Sequence, residues 1–166
     1  MFQGNMLDLG IIAASQGQPE TALAALAAAY LSEIGFDTFS VMTYDLAAMR
    51  GRRIYSTSDT HPAGYYKPLI KSDWVAQVVE RGEIFIADQP ENFKPHYIDW
   101  KMLEEMGLKS AVNFPIRING SVVGTVNLLS AQRAYFTASI CEVASSLHGL
   151  AALSLLIHGH CERGLL

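Results

Sequence analysis

Residues 108–129 read LKSAVNFPIRINGSVVGTVNLL, with the pair Asn119-Gly120 near the centre of two apolar runs. A type I′ turn needs positive φ at both central residues. Asn and Gly tolerate that best, so this pair predicts a β-hairpin. The expected strands are 109–118 and 121–131. With a two-residue turn, Ile118 faces Ser121, and Val112 opposes Asn127, Phe114 opposes Thr125 and Ile116 opposes Val123. On the other face Asn113 opposes Val126, Pro115 opposes Gly124 and Arg117 opposes Val122. Ser110 and Asn127 then share one face and Asn113 lies on the opposite one. A one-residue bulge at Pro115 or Gly124 inverts that assignment. Both faces are largely apolar, so the sheet must be covered on both sides near its middle. Pro115 lacks an N–H, which makes its strand an edge or bulges it there.

The stretch Gly107 to Leu129 resembles the signature hairpin of GAF domains. There an apolar strand ending in a Pro-apolar pair meets a Gly turn and an apolar-Gly-apolar strand. The resemblance extends to the order of elements over roughly Thr21 to Ile157. It implies an α+β, GAF/PAS-like fold: a central antiparallel sheet of five to six strands, terminal helices on one face, and short helices and loops over a pocket on the other. It also implies that the pocket binds a small molecule.

The rest of the chain agrees on its own terms. Pro19-Glu20 opens a helix, since Pro suits the first helical position and an early carboxylate suits the dipole. Leu23, Leu26, Ala27, Tyr30, Leu31 and Ile34 fall on one face before Gly35. Its other face is mostly Ala, which suits either close packing within the domain or a dimer surface. Strands are expected at 36–45 and 52–58, with a connector at 46–51 and turn chemistry through STSDTHPAG, 56–64. Ser72 caps a helix running to Arg81 before Gly82. A short strand at 83–87, a loop at 88–95 and a helix at 96–106 follow. Thr137 caps the last helix, with Phe136 able to staple onto its first turn. Ile140, Val143, Leu147, Leu150, Ser154 and Ile157 form its stripe. Before Pro19, Leu7, Leu9, Ile11 and Ile12 are able to begin a helix that Gly4, Gly10 and Gly17 weaken. The organisation is an N-terminal segment, 1–18, one domain, 19–160, and a tail, 161–166.

The chain has 166 residues, half of them hydrophobic and 17% charged, with net charge −4. That suits one domain with a sizeable core and argues against disorder. The few Lys and Arg are scattered, so no nucleic-acid partner is expected. No apolar run reaches spanning length and MFQGNMLDLGII lacks a basic leader region, so no membrane is expected either. Cys141 and Cys161 lie in or just after one helix. Twenty residues of helix rise about 30 Å, far beyond the ~7 Å that a disulfide spans. A reducing cytoplasm is the simplest setting.

Residues 56–100 are rich in aromatic and polar groups, including Tyr65, Tyr66, Trp74, Asp88, His96, Tyr97, Asp99 and Trp100. Aromatic walls with a few convergent polar groups describe a small-molecule pocket. The plainer alternative makes Trp74 and Trp100 core residues under a loop. The expected ligand-binding set is Tyr55, Tyr66, Trp74, Asp88, Tyr97, Trp100, Ser110 and Asn127. His61, before Pro62, has no assigned role beyond solvation.

Other chemistry has thin support. His158 and His160 sit two apart on a helix, so their side chains diverge and no metal site is expected. His96 is the one axial candidate for a haem near the pocket. No Ser lies in a GxSxG elbow, and Asp88, His96 and Asp99 have no spacing that demands acid–base catalysis. The resemblance brings three comparisons. Free methionine sulfoxide reductases and phytochromes of the GAF type carry a loop cysteine that is missing here. The cyclic-nucleotide-binding branch carries an Asn-Lys-Phe-Asp-Glu set, of which only Asn127 and Phe136 have counterparts. The expected function is therefore a cytoplasmic sensory module with an unidentified ligand and no assigned cofactor. It homodimerises through its terminal helices, and either it signals to a separate protein or the chain is a fragment. The alternatives are a bare dimerisation module and a small enzyme.

Overall fold

The computed structural model describes residues 6–165. Gly4, expected to weaken a first helix, and Leu166 of the expected tail lie outside them. In chain order the elements are α1 (Met6–Ala14), α2 (Glu20–Glu33), β1 (Thr38–Asp45), β2 (Arg50–Ser56), β3 (Tyr66–Pro68), a π-helical turn (Val75–Glu80), β4 (Phe85–Ala87), α3 (Pro90–Phe93), α4 (Trp100–Glu105), β5 (Ser110–Ile118), β6 (Ser121–Ser130) and α5 (Ile140–Glu162). Among the described residues they gather into two compact units, one of residues 6–35 with 142–165, the other of Phe36–Cys141.

The first unit holds α1, α2 and α5. Gln18 joins the first two: its Nε2 donates to Ile12 O at 2.6 Å, and its Oε1 accepts from Ala22 N at 3.2 Å. One side chain thus satisfies a late carbonyl of α1 and an early N–H of α2, both of which a helix end leaves unpaired. The expected stripe of α2 is buried at Leu23, Leu26, Ala27 and Tyr30, whereas Leu31 is exposed. Ser154, the one polar position in the α5 stripe, is fully buried. Its hydroxyl lies 2.8 Å from Leu150 O and 3.2 Å from Ala22 O, so it ties α5 to α2 without leaving a polar group unpaired. By length and composition α5 would also suffice to cross a membrane, which the sequence reading did not anticipate; the core helix of a soluble protein passes the same test.

The second unit is a six-stranded antiparallel sheet in the order β3-β2-β1-β6-β5-β4. The Asn119-Gly120 turn is present, with φ of 51° and 77°. Its register departs from the expected one. Ile118 pairs with Ser121 and Arg117 with Val122, but Ile116 pairs with Gly124 and Asn113 with Asn127. Val123 is therefore an extra residue in β6, a β-bulge. It brings Asn113 and Asn127 onto one face and turns Ser110 to the other, reversing the assignment made from an unbroken ladder. Pro115 lies beyond the short partner β4, which pairs only with residues 111–113. Its missing N–H therefore leaves no β4 acceptor unpaired.

A second bulge lies between β1 and β2. Val41 pairs with Tyr55 and Met42 with Arg53, leaving Ile54 extra. Tyr55 and Arg53 thereby turn to opposite faces. Burial runs through both faces of the central strands: Phe39, Val41, Val112, Val126 and Leu128 on one, Ala111 and Leu129 on the other. A core of Val78, Phe85, Ala87, Phe93, Leu103, Leu108, Ala111 and Leu129 lies on the second face. The expected helix at 72–81 is a π-helical turn, with Ser72 Oγ accepting from Val75 N at 3.3 Å. The helix expected at 96–106 starts only at Trp100, the loop expected at 88–95 contains α3, and β3 falls within 65–71, where no element was expected.

Gly82 follows the π-helical turn with φ +63°, and a Cβ there would collide with the Arg117 guanidinium. Arg117 Nη2 donates to Arg81 O, and to Gly82 O at 3.1 Å. Gly82→Ala is expected to lower stability by about 1–2 kcal/mol through left-handed strain, with a further loss from displaced Arg117. Urea unfolding of a double-mutant cycle with Arg117→Ala checks this. The cost should fall in the Arg117→Ala background, and equal costs in both would mean that the guanidinium simply moves aside.

Candidate functional site

A cavity of about 430 Å3 lies in the second unit between the sheet and two covering segments. Ser40, Met42 and Tyr44 of β1, Arg53 of β2, Asn113 of β5 and Asn127 of β6 form its floor. Residues of 67–75 and 94–103 cover it, among them Leu69, Trp74, Val75, Tyr97, Trp100 and Leu103. This cover is built from short pieces because Pro68 and Pro95 interrupt any longer helix or strand.

A polar ladder crosses the floor. Asn127 Nδ2 lies 3.4 Å from both the carbonyl and the hydroxyl of Ser40. Asn127 Oδ1 accepts from Asn113 Nδ2 at 2.8 Å. Asn113 Oδ1 accepts from Trp74 Nε1 at 2.8 Å and from Tyr97 OH at 2.7 Å. The floor thus fixes both aromatic walls through one oxygen. Burial raises the pKa of Tyr97 well above the usual phenol range, outweighing its bond to Asn113. Tyr44, bonded to Thr125 Oγ1 at 2.8 Å, is raised for the same reason.

An ionic cluster stands at one end of the lining. Asp99 precedes α4 at its N-cap, yet its carboxylate makes no capping bond there. Asp99 Oδ2 accepts instead from His61 Nε2 at 2.6 Å and from Lys67 Nζ, and lies 3.5 Å from Arg53 Nη2. Arg53 Nη1 donates to Pro62 O at 3.1 Å, and Nη2 also lies against His61 Nε2. Burial by itself would raise the Asp99 pKa, but the bond from His61 and the charge and bond of Lys67 outweigh it, holding the carboxyl well below the usual range. Burial pushes the pKa of His61 down, and the Arg53 and Lys67 charges add to that against the pull of Asp99. Burial likewise lowers Lys67 and Arg53. His61 Nε2 thus stands between a carboxylate that only accepts and a guanidinium that only donates. His61 Nδ1 and Arg53 Nε are buried without a partner.

Of the residues expected from sequence, Trp74, Tyr97, Trp100 and Asn127 line the cavity together, and so do His96 and Asp99. The other four do not. Tyr55 lies on the opposite sheet face, edge-on to Phe39 at 6.0 Å, because the Ile54 bulge separates it from Arg53. Tyr66 is exposed on edge strand β3, with the guanidinium groups of Arg50 and Arg52 over its ring at 4.9 and 5.6 Å. Asp88 is exposed just past β4, and its carbonyl accepts from Ala134 N at 2.7 Å. Ser110 faces away because of the Val123 bulge and donates to Gln132 O at 2.7 Å. Sequence reasoning missed Arg53, Lys67, Asn113 and the buried His61. A His between turn residues reads as solvated, yet His61 is 5% exposed.

Comparison with known proteins agrees with this architecture. No curated protein matches the chain. The GAF domain of a two-component sensor histidine kinase from Bacillus halodurans superposes with a TM-score of 0.70 at 13% identity, covering 90% of this chain and 99% of that one. Free methionine-R-sulfoxide reductase from Neisseria meningitidis, solved with its substrate, gives 0.67 at 12%, covering 92% and 86%. The chromophore-binding domain of an unusual bacteriophytochrome from R. palustris gives 0.63 at 13%, covering 96% and 61%. At such identities the likeness is one of fold. The sequence signature of the GAF domain matches residues 17–155, nearly the whole chain, which therefore belongs to the GAF domain family.

Proposed function

We propose that this chain is a small-molecule-sensing GAF domain that takes its ligand between the sheet and the cover formed by residues 67–75 and 94–103. The cavity beneath Trp74 and Trp100 carries this reading. Its size lies within the roughly 300–1,000 Å3 of ordinary ligand pockets, and its aromatic walls with a few fixed polar groups suit a small organic molecule. A bare dimerisation module has no use for such a space. No cysteine is among the lining residues, so a thiol-based reduction lacks its nucleophile there. Of the expected ligand contacts we retain Trp74, Tyr97, Trp100 and Asn127, and add Asn113.

The readout we propose is a homodimer built through the terminal helices, acting on a separate signalling protein. Leu31 and Leu156 are exposed at 55% and 54%, apolar area that a second copy would cover. The ligand acts by preferring one of two arrangements, and its effect is bounded by that difference in affinity. Cys141 and Cys161 of α5 form no disulfide, which suits a reducing, cytoplasmic setting.

Native mass spectrometry of the purified protein is expected to show a dimer that retains a discrete small mass, lost on denaturation. A bare dimer, with no thermal shift across a metabolite panel, would move the assignment to a dimerisation module. The chain has only two tryptophans and both line the cavity, so intrinsic fluorescence reports binding directly. Asn113→Ala removes the acceptor shared by Trp74 and Tyr97. It is expected to cost about 1–3 kcal/mol in urea unfolding and to weaken ligand-induced quenching. Unchanged stability would mean that the ladder is dispensable.

A further inference from the structure

The ionic cluster does not balance. Asp99 supplies one negative charge, while Arg53 and Lys67 each supply a positive one and have no ion-pair partner other than Asp99 among the described residues. His61 adds no charge of its own once burial holds it neutral. The other lysine of the lining, Lys94, is already paired with Glu104 at 2.8 Å. One positive charge is therefore left over at this end of the cavity. Arg53 is 3% exposed and also keeps a buried Nε–H with no acceptor. A buried cation without its own anion is costly, by more than an unpaired neutral donor. The rest of the lining is apolar or neutral, with Trp74, Trp100, Leu69, Val75 and Leu103.

We infer that the ligand of this cavity is an organic monocarboxylate, its carboxylate held by Arg53 and Lys67 and its apolar or aromatic body held against Trp74 and Trp100. The inference rests on the ligand-binding reading above and narrows it to a chemical class. A monoanion brings the cluster to neutrality, whereas a phosphate dianion overshoots. A guanidinium and an ammonium side by side give the carboxylate charge-assisted hydrogen bonds, the strong kind in a desolvated site. Asp99 then acts as the resident counter-ion that keeps the two cations folded in place when the cavity is empty.

The test is a tryptophan-fluorescence titration of the full chain with matched pairs of probes. Each pair is an aliphatic or aromatic monocarboxylic acid and its neutral primary amide, from pentanoate through benzoate to phenylpropanoate, with phenyl phosphate as the dianion. The acids are expected to bind and the amides to bind at least roughly tenfold more weakly. Lys67→Met is expected to remove most of that preference, weakening the acids several-fold more than the amides, with folding checked by thermal melting. Asp99→Asn tests the opposite sign. It leaves a second uncompensated charge, so the acids should bind several-fold more tightly and raise the melting temperature by more than in the wild type. A merely structural role for Asp99 predicts weaker binding instead. Amides binding as well as acids would overturn the monocarboxylate and leave the sensor standing. Tighter binding of phenyl phosphate would overturn the charge count. Acids failing to bind while native mass spectrometry still finds a retained mass would sink the class alone. Failure of both would sink the sensor reading with it.

Discussion

Val123 is one residue too many for the ladder between β5 and β6, and the cavity floor depends on it. Side chains alternate strictly along a strand, so an unbroken pairing would put Asn113 and Asn127 on different faces. Asn113 would then be buried on the far face, away from the indole of Trp74 and the phenol of Tyr97. A buried amide without partners costs several kcal/mol by transfer, roughly 2–7 depending on reference. With the extra residue, the two amides meet at 2.8 Å and Asn113 accepts both wall donors. The same device recurs at Ile54, where it turns Arg53 toward the cavity side of β2 and Tyr55 away. Two single-residue insertions therefore select which polar groups line the floor.

This explains what could be read in the chain and what could not. The hairpin was legible because Asn119-Gly120 has few other uses between two apolar runs. The α+β sheet followed from the order of apolar segments, and the GAF resemblance agreed with it. The aromatic lining at Trp74, Tyr97 and Trp100 was legible because aromatics in a Pro-rich cover have little else to pack against. The bulges were not legible at their own residues, although one near Gly124 was foreseen as the event that inverts the faces. They use Val and Ile, the ordinary residues of strands, where a Gly would have advertised a break. Pro115 and Gly124 marked the neighbourhood, yet the extra residue is the one beside them.

The charged end of the site was hidden for a different reason. Its members meet across 46 residues from Arg53 to Asp99 and 32 from Lys67 to Asp99. Local pattern carries no trace of such a meeting, and a Lys beside a Pro in a turn-rich stretch looks solvated. Asp99 was noticed, but as a lone acid, and only its partners give it a role. Asp88 and Tyr66 show the converse: polar and aromatic residues in the right stretch, on the outside of it. Within a cover this irregular, sequence position locates the lid and leaves the inward-facing members to long-range pairing.

The sheet stops at each side with a three-residue strand, Tyr66–Pro68 at one margin and Phe85–Ala87 at the other. Such short margins expose little unpaired backbone, and Pro68 withdraws one donor from the first of them. A second copy seeking to extend the sheet finds only a short template at either margin, and where β5 runs on past β4 Pro115 withdraws a further donor, devices by which natural β-proteins avoid stacking edge to edge. The six strands are thus self-limiting. Any self-association this chain undergoes is directed to side-chain surfaces, where it can be adjusted one residue at a time.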